Sequence, residues 1–217
     1  MKQTKTIVAA LLSFLFLAFT ASAANAENLI GDPSFELNNT PTLQTVYAAD
    51  TFLSPWHVLN NVDLADEDNI WTKGPAFDGK QYIDLDGNKP GAIYQGVATT
   101  PGMTYTVTVA YANNYFNQPS ASAQVSIYDD NHNIYDEILF HNSSVNGNLD
   151  WTQFTTQFTA QETTTYLKFT SLSGTNSAGG ILIDNVSVHA PEPSGVVFML
   201  IPAAGAILRR RRPRICH

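Results

Sequence analysis

Through the middle of the chain, apolar and polar side chains alternate with a period of two. Tyr105, Val107, Val109 and Tyr111 alternate with Thr104, Thr106, Thr108 and Ala110, and Ala123, Val125 and Ile127 alternate with Ser122, Gln124 and Ser126. Phe154 and Phe158 flank Thr156 in the same way, and Leu182, Asp184, Val186 and Val188 fall on one parity. A strand points successive side chains to opposite faces, so each run predicts a strand with one dry face. Turn-rich pieces separate the runs: 86–91, 100–102, 129–133, 146–148 and 173–180. Asn38 to Pro55 carries few strand signals and two prolines, which predicts a loop over one face or end. No stretch of this middle region carries an apolar stripe of helical period. The pattern predicts an all-β fold, an antiparallel sandwich.

Both ends break the alternation. Lys2 and Lys5 precede an apolar run from Ile7 to Phe19, then the small residues of Ala21-Ser22-Ala23-Ala24-Asn25-Ala26. This is the pattern of a secretory signal peptide over 1–26, with cleavage after Ala26 favoured over Ala23 and a mature start at Glu27. At the other end, Pro191-Glu192-Pro193-Ser194 leads into an apolar segment, Val196 to Leu208, and then Arg209-Arg210-Arg211-Arg212. As a helix, the segment 196–208 would reach roughly 20 Å against a hydrocarbon core of about 30 Å. The arginines would hold its end on the cytoplasmic side, but the span is short for a permanent anchor. The domain assignment is therefore a signal peptide over 1–26, a β-sandwich over 27–190 and a membrane-entering tail over 191–214.

Charge adds a second layer. The whole chain carries a formal −8. Between 27 and 190 there are only Lys73, Lys80, Lys89 and Lys168 against eighteen Asp and Glu, a net −14. A field of that sign repels nucleic acid, which excludes it as a partner, and attracts divalent cations. The lone Cys216 lies beyond the arginines, so the exported region has no disulfide and depends on its core, with or without a metal.

The order of the tail resembles the PEP-CTERM sorting signal of Gram-negative bacteria. That resemblance implies an exosortase-type membrane protease as partner, transient residence in the inner membrane, and release to the cell surface or outside; the competing reading is a short tail anchor. The middle region holds Asn28-Leu29-Ile30, Ser34-Phe35-Glu36, Trp56-His57-Val58, Asp63, Trp71, Tyr82 to Gly87, Gly91 to Gln95, Pro101 to Tyr105 and Gly180 to Val188, in that order. It is similar to the choice-of-anchor C family and, more distantly, to plant cell-wall proteins of a related uncharacterised family. These belong to the galactose-binding-like jelly rolls, so the resemblance implies that fold. Gly31-Asp32-Pro33 departs from the Asn-Gly more usual there. A fold of this kind hosts many functions, so function must be argued from a site.

Three constellations suggest chemistry. Asp184 shares its parity with apolar residues, and a carboxylate on a core face is costly unless it is paired or binds a metal. In many carbohydrate-binding jelly rolls a structural Ca²⁺ lies between an N-terminal Phe-Glu and a C-terminal Asp; by that resemblance Glu36 and Asp184 are the candidate calcium ligands. The competing reading places Asp184 at a strand edge or a turn and Glu36 on the surface. The acidic loops Asp66-Glu67-Asp68-Asn69 and Asp129-Asp130-Asn131 lack EF-hand spacing and read as solvated charge. Among the aromatics, Trp56 and Trp151 open strands and read as core. Tyr115 and Phe116 sit among Asn114 and Asn117 in an expected loop, and Trp71 follows an acidic loop. Aromatic faces stack on sugar rings while flanking amides bond hydroxyls, so these five residues are the candidate ligand-binding set. The competing reading has the aromatics packing beneath a long loop.

Catalytic motifs are missing from the sequence: no Gly-x-Ser-x-Gly, no His-Glu-x-x-His and no phosphate loop. The expectation is an exported, non-enzymatic surface or matrix domain that binds or organises exopolysaccharide. The alternatives are an enzyme acting on polysaccharide, which needs two carboxylates about 5 to 9.5 Å apart, and a protein–protein adhesin module without a glycan ligand.

Overall fold

The computed structural model describes residues 27–40, 42–116, 119–173 and 178–191. The signal peptide expected over 1–26 lies outside the described residues, as do Asn117, Glu192, Pro193, the segment 196–208 and the arginine cluster. The described residues fall within one compact unit, Ala24–Glu192.

Among the described residues the secondary structure is all strand. In chain order the strands are β1 (Leu43–Tyr47), β2 (His57–Leu59), β3 (Asn61–Asp66), β4 (Gln81–Asp84), β5 (Ala92–Ala98) and β6 (Thr104–Asn113). They continue with β7 (Ala121–Tyr128), β8 (Asn133–His141), β9 (Thr152–Thr159), β10 (Thr164–Ser171) and β11 (Ile181–His189). They form a six-stranded sheet, β1-β3-β4-β11-β6-β9, and a five-stranded sheet, β2-β5-β10-β7-β8, with every named pairing antiparallel. This is the predicted jelly-roll sandwich.

Alternation builds the core between the sheets. Tyr105, Val107 and Val109 of β6 and Ala123, Val125 and Ile127 of β7 all point into it, as their spacing predicts. Trp56 is fully buried there, with ring centroids 5.5 Å from Phe35 and 6.4 Å from Phe169, and its indole N–H donates to the Asp32 carbonyl at 3.0 Å. The first described segment is zipped to the last strand. The Asn28 side-chain amide donates to the Val186 carbonyl at 3.0 Å, and its oxygen accepts the Val188 N–H at 3.0 Å.

Two sequence expectations need correction. The segment expected to be a loop from Asn38 to Pro55 contains β1, which pairs with β3 from Leu43↔Ala65 to Tyr47↔Asn61. β1 is short and lies at the sheet edge, where one unpaired side is tolerated, so its signal is weak. The second correction concerns β11. Ile181, Ile183, Val186 and Val188 face the main core, whereas Leu182 belongs to a second cluster with Ala65, Tyr82, Ala112 and Leu149. The register with β6 shifts between Asp184 and Ser187, and Asn185 takes a left-handed φ of 46°. A bulge of this kind inserts one residue and inverts parity. Leu182 and Asp184 therefore face away from Val186 and Val188.

That second cluster lies on the outer face of the six-stranded sheet. The loops over 67–80 and 144–151 cover it, with Ala76, Tyr115 and Trp151 packed against it. Trp151 donates its indole N–H to the Pro75 carbonyl at 2.9 Å, tying the two covering loops together. The sandwich has a third, partial layer on this side.

Candidate functional site

The 67–80 loop is built on short polar side chains that bond the backbone. The Asp66 carboxylate accepts the Asp68 N–H at 2.9 Å, and the Asn69 oxygen accepts the Trp71 N–H at 3.0 Å. Asn69 also donates to the Thr72 hydroxyl at 3.0 Å, and the Tyr82 hydroxyl donates to the Thr72 carbonyl at 2.6 Å. These Asx turns fix the backbone on either side of Trp71. Opposite them, at the end of β6, Asn114 makes a similar turn: its oxygen accepts the Phe116 N–H at 2.9 Å. Trp71 and Phe116 meet edge to face, with centroids 4.7 Å apart and planes at 76°. Each remains 47% exposed.

Beneath this aromatic wall is a cavity of about 400 Å³. Leu43 and Thr45 of β1, Asp63 of β3 and Asp84 of β4 line it, with Asn88 and Gly179 at its rim. Asp63 and Asp84 are directly opposed in the β3–β4 register. The Thr45 hydroxyl donates to Asp63 at 2.6 Å. Asp84 receives the Asn114 amide on Oδ2 at 2.8 Å, and the backbone N–H groups of Asp86 and Gly180 on Oδ1, each at 2.9 Å. Asn114 therefore does two jobs: it holds Asp84 and sets the Phe116 turn. Gly180 is required here, because a Cβ would come within 2.7 Å of the Asp86 carboxyl carbon.

Burial pushes Asp84 up to about 8; the hydrogen bonds from Asn114 and Asp86 oppose the shift, and the charges of Asp86 and Asp63 add to it. Burial also raises Asp63, against the Thr45 bond and with the charge of Asp86. The cavity presents a half-exposed aromatic wall, the carboxyl groups of Asp63 and Asp84, and the amides of Asn69, Asn88 and Asn114. It can stack an apolar ring face and hydrogen-bond hydroxyls around that ring.

Of the five predicted ligand-binding residues, Trp71, Phe116 and Asn114 line this one cavity, although 43 residues separate Asn114 from Trp71 in the chain. Tyr115 does not line it. Its ring packs on the second apolar cluster, and its hydroxyl donates to the Asn146 side chain at 3.2 Å. Asn117 lies outside the described residues. Sequence reasoning missed Asp63, Asp84 and Thr45. The available signal was an Asp interrupting the apolar runs of Asn61–Asp66 and Tyr82–Leu85, the argument applied only to Asp184.

Glu36 and Asp184 grip one turn from two sides. Asp184 Oδ2 accepts the N–H groups of Phe77 and Asp78 at 2.8 and 2.9 Å, and its Oδ1 accepts the Asn185 N–H at 2.6 Å. Glu36 Oε1 accepts the N–H groups of Lys80 and Gln81, both at 2.6 Å. Burial raises Asp184 to about 7, with the N–H groups of Asp78, Asn185 and Phe77 opposing and the charge of Asp78 adding. A calcium cage needs six to eight oxygens, whereas here the N–H dipoles direct their positive ends at the carboxylates. Among the described residues no group of three or more His, Cys, Asp or Glu side chains is placed to hold a metal. This donor set does not fit calcium; the two carboxylates clamp the 77–81 turn. In the acidic loop at 129–131, Asp129 Oδ1 accepts the N–H groups of Asn131 and His132 at 2.8 Å each, closing the turn on itself.

Comparison with known proteins gives the family. Residues 28–189 match the family described as protein of unknown function (DUF642). The chain belongs to this family. A stretch of halomucin from Haloquadratum walsbyi (strain DSM 16790 / HBSQ001) is 31% identical over 225 residues, covering 96% of this chain and 2% of that protein. The chain thus spans a small fraction of the length of that relative. Among solved structures, TmCBM61 in complex with β-1,4-galactotriose aligns with a TM-score of 0.50 at 14% identity, over 76% of this chain and 100% of that one. A family 35 carbohydrate binding module from Clostridium thermocellum aligns with a TM-score of 0.44 at 17% identity, over 67% of this chain and 97% of that one. The likeness to TmCBM61 shows that this DUF642 domain shares a jelly-roll sandwich fold with that module.

Two predictions follow from the carboxyl groups. For Asp84 and Asp184 the folded pKa is raised, so the folded state keeps protons that the unfolded chain loses above about 4. Their contribution to stability is complete below pH 4 and is lost as pH rises through 7 and 8. The melting temperature should fall from pH 4 to pH 8, and Asp84→Asn should flatten that slope; an equal slope in the variant would contradict the assignment. The clamp also predicts that a chelator leaves the melting transition unchanged, and a drop that added Ca²⁺ reverses would show a metal.

Proposed function

We propose that the domain is an exported, non-catalytic module that binds extracellular polysaccharide. The observation that carries this reading is the Trp71–Phe116 wall standing over Asp63, Asp84 and Asn114 in one cavity. An aromatic wall takes the apolar face of a sugar ring, while fixed carboxyl and amide groups bond its equatorial hydroxyls. The cavity volume suits one or two sugar units. The net −14 of residues 27–190 favours a neutral glycan over a polyanion. The neighbour TmCBM61, solved with a galactotriose, supports the same chemistry as an analogy of fold. Asp84 gives both oxygens to N–H donors, which suits a fixed recognition group better than a proton-transfer group.

Export completes the proposal. The apolar run before Ala26 serves as the signal peptide. The Pro191-Glu192-Pro193 turn, the segment 196–208 and Arg209 to Arg212 serve as a PEP-CTERM sorting tail, read by an exosortase-type protease at the inner membrane. The processed domain then acts at the cell surface or in the matrix.

Residues 27–191 should be retained by at least one neutral polysaccharide on a glycan array. Trp71→Ala, which leaves both buried clusters intact, should weaken that retention about tenfold or more, as loss of an aromatic anchor does. Retention by no glycan, or full retention by the variant, would rule out this site. For export, mass spectrometry of the secreted form should give Glu27 as its first residue; an uncleaved Met1 form in the membrane would contradict it.

A further inference from the structure

The two outer faces of the sandwich are treated differently. The covering loops close that of the six-stranded sheet, whereas among the described residues no segment packs over that of the five-stranded sheet. On this second face Ile138, Phe140 and Leu59 remain 61%, 56% and 45% exposed. An open sheet face of this width on a secreted domain calls for an account of what it meets.

Its side chains show a pattern. In β5, β7 and β10, Ile93, Val97, Val125, Ile127, Leu167 and Phe169 point into the core, so the alternate residues point outward. One line of outward residues runs across all five strands in register: His57, Tyr94, Lys168, Ser126 and Asp136. A second line holds Gly96, Tyr166 and Tyr128. Between the two lines runs an unbroken row of rings. His57 and Tyr94 are near-parallel at 4.9 Å, Tyr94 meets Tyr166 edge-on at 6.4 Å, and Tyr166 and Tyr128 are near-parallel at 5.3 Å. The row crosses three inter-strand spacings, roughly 14 Å, enough to underlie several consecutive sugar rings.

The glycine in the row has a specific effect. A Cβ on Gly96 would come within 2.9 and 3.1 Å of the Tyr166 ring. The ring therefore lies down over the bare backbone of β5 instead of standing off it. Lys168 sits 5.4 Å from the Tyr128 centroid and lines two open hollows, one of about 450 Å³ beside Tyr128, His132 and Asp136, the other of about 180 Å³ beside Leu59 and Thr170. Together they extend across the sheet on either side of that lysine.

Charge selects the occupant. The domain carries −14, yet in these two lines Lys168 and Asp136 are the only residues with a full charge, and they cancel; Asp129, which borders the larger hollow, spends its carboxylate on the N–H groups of Asn131 and His132. A face for nucleic acid or an acidic polymer would gather cations, and one for a basic partner would gather the abundant carboxylates. Rings, hydroxyls and amides without net charge match an uncharged polymer with flat apolar faces and hydroxyl edges.

We propose that the open face of the five-stranded sheet is a second glycan surface, on which an extended neutral polysaccharide lies across the strands over Tyr94, Tyr166 and Tyr128. It is separate from the Trp71 cavity, so the domain would engage two chains, or two segments of one chain, from opposite faces. Such bivalency raises avidity without any new contact at either site and would let the domain cross-link a matrix.

The test uses residues 27–191 in native gels containing soluble neutral β-glucan, arabinoxylan or galactan. A Trp71→Ala background weakens the cavity's contribution, and retardation by at least one polymer should persist in it. Adding Tyr94→Ala and Tyr166→Ala should weaken that residual retardation about tenfold or more. Cross-strand aromatic pairs also stabilise sheets, so a second readout keeps the outcome decisive. In the unmodified domain, an oligosaccharide of the retained polymer should shift the amide resonances of Gly96 and Tyr166 as a set separate from those of Asn69 and Trp71. Loss of all retardation in Trp71→Ala alone overturns the second surface while leaving the cavity. Tyrosine variants that melt lower but are retarded normally, with no shift at Gly96, show that the row only stabilises the sheet. A concentration-dependent dimer that the tyrosine substitutions abolish, without retardation by any polymer, assigns the face to a second copy of the chain and also overturns the proposal.

Discussion

The turn at 77–81 is held by residues from the first described segment and the last strand, and the functional face depends on that hold. Glu36 comes from the first described segment and Asp184 from the last strand, and between them they accept four backbone N–H groups of this turn. Hydrogen bonds to charged or partly charged carboxyl groups contribute about 1.5–3 kcal/mol each. They anchor the long 67–80 loop at its far end, and the Asx turns at Asp66 and Asn69 anchor it at its near end. Between those anchors the loop covers the Tyr82–Leu182 cluster and presents Trp71.

The same hold explains why so acidic a domain buries carboxyl groups. Asp84 and Asp184 are essentially sealed from water, at 3% and 0% exposure, and neither has a cationic partner among its hydrogen bonds. Backbone N–H groups and one amide satisfy them, and burial holds both partly protonated near neutrality. In the site this gives a fixed floor beneath a half-exposed aromatic wall, the arrangement expected of a recognition site.

Where side-chain alternation is regular, the chain was legible. β6 and β7 follow their Tyr-Val and Ala-Val-Ile runs residue by residue, and the sandwich class follows from such runs. β1 was not legible because Leu43–Tyr47 is short, flanked by prolines and paired on one side only. The inner and outer faces of β11 were assigned wrongly because the Asn185 bulge leaves no mark in hydrophobic periodicity; the observable hint was Asp-Asn within an apolar run, a pair that tolerates left-handed backbone. For the site, the aromatic-amide cluster at 114–116 and Trp71 could be picked out as unusual for loops. Their meeting could not, because it depends on Asn114 reaching across to Asp84 and on a loop anchored at Lys80 by Glu36, 44 residues upstream. The row of rings over Gly96 escaped notice for a different reason. Its members alternate with core residues in regular strands and look like ordinary sheet surface until the register sets them side by side.

The claim that matters most is that Trp71 touches sugar. Trp56 is buried in the core and Trp151 is tied under the covering loops, so Trp71 is the tryptophan whose emission a ligand in the cavity should change. Titrating residues 27–191 with neutral oligosaccharides while following tryptophan fluorescence tests this directly. The account predicts a saturable change with at least one oligosaccharide, absent in Trp71→Phe. A change of the same size in Trp71→Phe, or none with any oligosaccharide, would contradict it.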